Sequence, residues 1–188
     1  MKETVLAAAL ALSLVSPAVL AAETADVVVV GAGAAGLSAS IGAAARGAKV
    51  ILLEKTGDAG GNTAFASLGL NAAATPDQAA ARIMGDSATL FAADTIRYGH
   101  QFNDAALVRA MTVTSAPALA WLETLGAKLC LRITPVGSEA RPRLMAPCDG
   151  TAVGPLLIQV LKAKALQSQV DLRTQARATK LLLSGQKV

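Results

Sequence analysis

Two short runs of apolar residues without polar interruption stand near the start of the chain: Val27-Val28-Val29-Val30 and Val50-Ile51-Leu52-Leu53, the second led by Lys49. Such runs, rich in β-branched residues, predict strands. The Ala-rich stretch between them, Ala34 to Arg46, predicts a helix that stops at Gly47. Farther along, the apolar positions change to helical spacing. Pro76 to Met84 predicts a helix begun by its first-turn proline. Ser87 to Tyr98 predicts a second helix. Asp104 caps a third, with Ala106, Leu107, Ala110 and Met111 at helical spacing. Pro117 is expected to start or kink the next helical piece, which carries Trp121, Leu122 and Leu125 and ends at Gly126. Val153 to Ala165 predicts another helix, with Leu156, Leu157, Val160 and Leu161 on one face. Val170 to Arg173 and Ala178 to Leu183 read as strands. No internal repeat or low-complexity linker interrupts this order.

The junction of the first strand and helix carries chemistry. Gly31-Ala32-Gly33-Ala34-Ala35-Gly36 follows the valine run directly, and Glu54 closes the second strand 23 residues after Gly31. Strand, glycine turn, helix, strand and acid form the dinucleotide-binding fingerprint in its full context, far more specific than an isolated glycine triplet. Gly31 permits the tight turn, Gly33 lets the backbone approach a pyrophosphate, and Gly36 allows close packing of helix on strand. The helix N-terminus offers N–H groups and a positive dipole end to phosphates. Glu54 is placed to accept hydrogen bonds from ribose hydroxyls, which disfavours the 2′-phosphate of NADP and leaves FAD or NAD. The expected fold is α/β, a Rossmann-like βαβ unit with additional helices. Gly57 to Gly61 is expected to be a flexible loop on the phosphate and ribose side.

The residues after Glu54 narrow the choice. The segment from Lys55 through Gly60-Gly61-Asn62-Thr63 to Leu68-Gly69-Leu70-Asn71-Ala72-Ala73 resembles the flavoprotein family of fumarate reductases and succinate dehydrogenases, in its soluble periplasmic branch. The resemblance continues through Asn103–Val108, Trp121–Ala127 and Asp149–Pro155, and covers the chain from Asp26 onward. It implies FAD as cofactor and, at family positions, Gly31, Gly33, Ala35 and Gly36 on the pyrophosphate, Glu54 with Lys55 at the ribose end, Asn62 and Thr63 along the flavin, Leu68 and Gly69 near the isoalloxazine, and the Ala178 backbone at the adenine. For Thr63, Gly69 and Ala178, ordinary loop or strand packing is the alternative. Asn62 replaces the histidine that binds FAD covalently in respiratory members, so the resemblance implies noncovalent flavin. Leu68 replaces one glycine of the usual pair. The family's substrate-gripping His and Arg residues, its capping domain and its second flavin-contacting region lie outside these 188 residues. No catalytic residue is therefore assigned, and the chain is expected to be a fragment, a truncated product or half of a split protein. Two functions follow: the FAD-binding portion of an oxidoreductase moving hydride between flavin and an unsaturated carboxylate such as fumarate, or a catalytically inert nucleotide-binding remnant.

Composition narrows partners and location. Net charge is +4, yet the cations are scattered and aromatics make up only 3% of the chain, which argues against a nucleic-acid partner. Arg141-Pro142-Arg143 is expected in a solvated or ligand-facing loop, and His100 at a helix end on the surface. No metal cluster is expected. At the N-terminus, Lys2, the apolar core Val5–Val15, Pro17 and the small residues Ala18 to Ala22 compose a secretory leader over 1–22, ahead of the FAD-binding region 23–188; an uncleaved anchor or a buried helix are the alternatives. Its apolar core falls short of the ~20 residues that span a bilayer, and no other segment is expected to cross a membrane. Export implies a periplasmic protein. Without a Cys-x-x-Cys-His haem site, electrons are expected from a separate donor protein. Cys130 and Cys148 are expected as two buried free thiols, with pairing the less favoured alternative.

Overall fold

In a computed structural model, residues 23–133 and 141–183 are described. The proposed leader, residues 1–22, lies outside them. Strand β1 (Val27–Val30) leads into helix α1 (Ala34–Ala44) and strand β2 (Val50–Leu53), as expected. The β1 and β2 strands pair in parallel, Val28 opposite Ile51. Strand β6 (Asp171–Arg173) adds to the other edge of β2, giving the order β1-β2-β6. Helix α1 packs on β1 and β2 beside helix α5 (Val153–Gln167). Leu37 and Ile41 of α1 face the core with Leu52 of β2 and Leu161 and Ala165 of α5.

A second sheet was not legible in the pattern. Strands β3 (Leu70–Asn71), β4 (Leu129–Leu131) and β5 (Leu144–Pro147) form an antiparallel sheet in the order β3-β5-β4. Each is short, and Leu-Met-Ala-Pro has little strand propensity. Pairing across the fold, with Met145 fully buried, stabilises what local preference does not. Conversely, Ala178 to Leu183 forms no strand. Leu181, Leu182 and Leu183 are exposed there, and among the described residues no strand pairs with them.

The remaining helices are α2 (Pro76–Ala80), α3 (Ala88–Tyr98) and α4 (Ala105–Thr124). Thr75 and Gln78 form a reciprocal capping box on α2. The helix ends at Ala80 rather than reaching Met84, because Arg82 adopts a left-handed φ of 58°. The Ser87 hydroxyl and the Asp104 carboxylate cap α3 and α4. Pro117 does not start a helix: α4 runs through it without interruption. Proline removes the hydrogen bond to the Val113 carbonyl, but Val113 is exposed, so water can satisfy that group, while Leu119 and Leu122 beyond it are buried. Helix α4 also has the length and mean hydropathy (1.3) of a membrane span, which the sequence reading overlooked. It buries one side only, with Val108, Thr112, Ser115, Leu119 and Leu122 facing the core while Leu107, Met111 and Val113 are exposed.

Two further expectations are corrected. Cys130 and Cys148 form a disulfide, their Cα atoms 5.0 Å apart. The antiparallel register places Cys130 of β4 diagonal to Cys148 at the end of β5, and the Cys148 N–H donates to the Lys128 carbonyl. Spacing alone could not reveal this, because the strand pairing creates the proximity. The bond closes a loop of separation 18. Reduction is expected to lower stability by about 3 kcal/mol, read as a lower denaturation midpoint with dithiothreitol, and Cys130→Ala/Cys148→Ala should reproduce it. Arg143, expected in a solvated or ligand-facing loop, is fully buried. Its guanidinium donates to both Asp86 oxygens, with Nη2 to Oδ1 at 2.6 Å, and to Asp94 Oδ2 at 2.8 Å. The Gln78 amide donates to Asp86 and to the Pro142 carbonyl, and Phe91 lies 4.9 Å from the guanidinium carbon. Buried charge requires partners, and these came from segments far apart in sequence.

Candidate functional site

The site forms where β1 ends and α1 begins. Gly31 has φ +97°, a conformation that a side chain would strain, and its N–H donates to the Leu53 carbonyl at 2.7 Å. A Cβ on Gly36 would collide with the Gly31 carbonyl oxygen, so this glycine sets the distance between helix and strand. Gly33 differs from both. Its φ is −75°, and an added Cβ would meet Gly60 O at 3.6 Å and Thr63 Oγ1 at 3.8 Å, ordinary contact distances. The protein itself therefore tolerates a side chain at position 33. The space such a side chain would fill lies over the first turn of α1, where an anion would sit.

The loop after β2 is organised against this turn. The Gly60 N–H donates to the Ala32 carbonyl at 2.8 Å, and Gly60 bridges to Gly33. A 3₁₀ turn, Gly61–Phe65, brings Thr63 to the start of α1, where Thr63 Oγ1 accepts from the Ala34 N–H at 3.2 Å. Because that oxygen is the acceptor, its own proton remains available to donate to a phosphate beside it. Gly154, at the start of α5, holds this turn in place: a Cβ there would collide with the Thr63 carbonyl oxygen. Ala35 lies in the first turn of α1, and Asn62 is exposed in the 3₁₀ turn.

Glu54 is 5% exposed, and its carboxylate braces the turn. Oε2 accepts from the Ala32 N–H at 2.9 Å; Oε1 accepts from the Thr56 N–H and hydroxyl, each at 2.9 Å. Three of about four lone-pair sites are thus taken by the protein. The Ala32 N–H, then that of Thr56, holds this carboxyl below its ordinary range, against the opposing effect of burial. The stability it contributes is present above the unfolded-state value of ~4.3 and is lost as pH falls through the lower folded-state value. Between about pH 7 and about pH 3, Glu54→Gln should therefore lose less thermal stability than the parent protein. Parallel acid-unfolding profiles would contradict this role.

A cavity of about 260 Å³ opens beside the turn, lined by Val30, Gly31, Leu53, Glu54, Lys55 and the segment Ala176–Ala178. That segment is held by the Gln175 N–H on the Thr56 carbonyl and the Ala176 N–H on the Glu54 carbonyl, both 2.8 Å. The fold thus gathers Gly31, Glu54, Lys55 and Ala178 at one cavity, with Gly33, Ala35, Gly36 and Thr63 at the adjoining helix start. The motif reading missed Arg177, whose only signal was adjacency to Ala178. Leu68 and Gly69 lie apart from this cavity. Leu68 is exposed, and a Cβ on Gly69 would strike the Met145 carbonyl oxygen, so packing on β5 already requires glycine there. A larger cavity, about 510 Å³, lies among β3, α3 and α4 and has no ionisable lining residue. His100 is exposed just beyond α3, as expected, and among the described residues no His, Cys, Asp or Glu cluster could hold a metal ion.

This arrangement matches known proteins. The family described as FAD binding domain matches residues 26–188. The chain is 41% identical over 160 residues to a fumarate reductase (cytochrome) of Shewanella frigidimarina, covering 85% of this chain and 28% of that protein. It is 39% identical over 165 residues to an NADH:fumarate oxidoreductase of Klebsiella pneumoniae, covering 87% of this chain and 17% of that one. The solved open conformation of a flavocytochrome c3 fumarate reductase superposes with a TM-score of 0.80 at 37% identity, covering 86% of this chain and 28% of that chain. The chain thus spans between 17% and 28% of the length of these relatives. With the glycine turn, the bracing acid and the capped helix start all in place, the chain belongs to the FAD binding domain family of fumarate reductase and succinate dehydrogenase flavoproteins, and its cofactor is FAD.

Proposed function

We propose that this chain is the FAD-holding portion of an exported oxidoreductase of the fumarate reductase type, acting on a small unsaturated carboxylate. One observation carries the reading: the glycine turn, the Thr63 hydroxyl at the start of α1 and the Glu54-braced cavity form one continuous strip. Bound there, FAD would supply hydride transfer at its N5 atom. The adenosine would occupy the cavity beside Glu54, Lys55 and Ala178. The pyrophosphate would lie over Gly33, Ala35 and Gly36 with Thr63 donating to it, and the flavin end would continue past Asn62 toward Leu68 and Gly69. Asn62 has no imidazole to form a covalent flavin bond, so the cofactor is held by noncovalent contacts. Its similarity to fumarate-reducing relatives supports this substrate class. The Cys130–Cys148 disulfide supports an oxidising compartment, in keeping with a leader at 1–22, a mature region 23–188 and a periplasmic location. A separate protein would deliver the electrons.

A second reading, that residues 1–188 are inert alone, is favoured by Arg143. Its guanidinium is committed to Asp86 and Asp94 and is inaccessible to substrate. Transition-state stabilisation needs charged groups that touch the substrate.

Titration of the purified chain with FAD tests the cofactor reading. Saturable quenching of flavin fluorescence is expected, and acid precipitation should leave a colourless pellet. Absence of binding would overturn the site, and yellow retained in the pellet would overturn noncovalent attachment. Anaerobic oxidation of reduced viologen by fumarate should not exceed a free-flavin control; turnover above it would refute the inert reading.

A further inference from the structure

We propose that Arg177 is a ligand-binding residue of the 260 Å³ cavity, its guanidinium stacking on the adenine ring of the bound dinucleotide. The inference rests on the reading of that cavity as the adenosine end of the FAD site. The backbone leading to Arg177 is fixed by the hydrogen bonds of Gln175 and Ala176 to Thr56 and Glu54, each 2.8 Å, so the side chain leaves from a defined point on the cavity wall. Among the described residues, no carboxylate pairs with Arg177. Arg143 and Arg173, by contrast, are committed to Asp86 and Asp94, and to Glu23 and Asp171. Arg177 nevertheless lines the cavity, alongside the apolar surfaces of Val30, Leu53 and Ala176.

The chemistry of this lining selects a flat, π-bearing group. Glu54, the cavity's acid, directs its carboxylate at the Ala32 and Thr56 donors and forms no ion pair with Arg177 among the described residues. A guanidinium is planar, weakly hydrated and able to stack on an aromatic face, whereas the ammonium of Lys55 is a compact point charge. Arg177 therefore contributes through its plane and Lys55 through its charge. Arg177 should favour adenine-containing ligands and contribute nothing to ligands that lack the base.

The test is calorimetric titration of the full chain with ADP and, separately, with FMN, at physiological ionic strength. Arg177→Ala should weaken ADP binding about fivefold and leave FMN binding unchanged. Arg177→Lys, which keeps the charge and loses the plane, should be as weak as the alanine variant, and the loss should persist at about 0.5 M salt, where exposed charge pairs are screened. Alanine-variant affinity for ADP equal to that of the parent would overturn the proposal. So would full rescue by lysine, which would assign Arg177 a purely electrostatic role. Failure of the parent chain itself to bind ADP would instead overturn the adenosine reading of the cavity, and this proposal with it. Arg177 is exposed and makes no ion pair among the described residues, so thermal unfolding of both variants should match the parent.

Discussion

Arg143→Ala is expected to destabilise the fold by about 3–5 kcal/mol, the cost of leaving buried charge without its partner. The side chains of Asp86 and Asp94 are 1% and 9% exposed, and Arg143 is the cation that pairs with both. A domain of this size has ~5–15 kcal/mol in total, so the loss would shift a denaturant midpoint far and could leave the chain largely unfolded. A change in pH dependence separates this mechanism from a simple cavity. In the parent protein, burial pushes the Asp86 carboxyl upward, but the hydrogen bonds from Arg143 and Gln78 outweigh it and hold the carboxyl below its ordinary range. That contribution is present above the unfolded-state value and disappears as pH falls through the folded-state value. Without Arg143, burial dominates, the folded-state value rises above the unfolded one, and protonation relieves the penalty. The variant's stability relative to the parent should thus recover as pH falls toward about 4. A loss independent of pH would show that packing against Phe91, rather than charge, is the main contribution of Arg143.

Two alanine substitutions three residues apart should have opposite consequences. Gly36→Ala drives a methyl into the Gly31 carbonyl and toward Val29 Cγ1 at 3.4 Å, so α1 must move off β1. The expected loss is about 1–3 kcal/mol of stability, seen in thermal or urea unfolding, with FAD binding weakened as a consequence. Gly33→Ala meets nothing closer than 3.6 Å and has an ordinary φ, so stability should stay within about 0.5 kcal/mol of the parent. FAD affinity should nevertheless fall about tenfold to a hundredfold, because the methyl displaces a phosphate from a charge-assisted hydrogen bond worth ~1.5–3 kcal/mol. Unchanged FAD binding by Gly33→Ala would mean that the pyrophosphate does not lie over the start of α1. Equal destabilisation by both would mean that the fold, rather than the ligand, requires glycine at position 33.

Sequence by itself determined the βαβ unit, its glycine turn and its acid, because each is a local matter. Four consecutive valines have one dominant backbone preference, a left-handed turn at Gly31 requires glycine, and an Ala-rich stretch after it has little alternative to helix. The cap at Asp104 was local for the same reason. Tertiary structure alone decided how those pieces are held. Glu54 braces Ala32, 22 residues earlier, and Thr63 reaches Ala34 across 29 residues; neither bond leaves a mark on local propensity. The β3-β5-β4 sheet, the Cys130–Cys148 bond and the burial of Arg143 between Asp86 and Asp94 likewise depend on segments brought together only by folding. Gly69 shows the division most directly. Its place beside a flavin-binding motif suggested a ligand contact, but the Met145 carbonyl, 76 residues away in the chain, already accounts for the missing side chain.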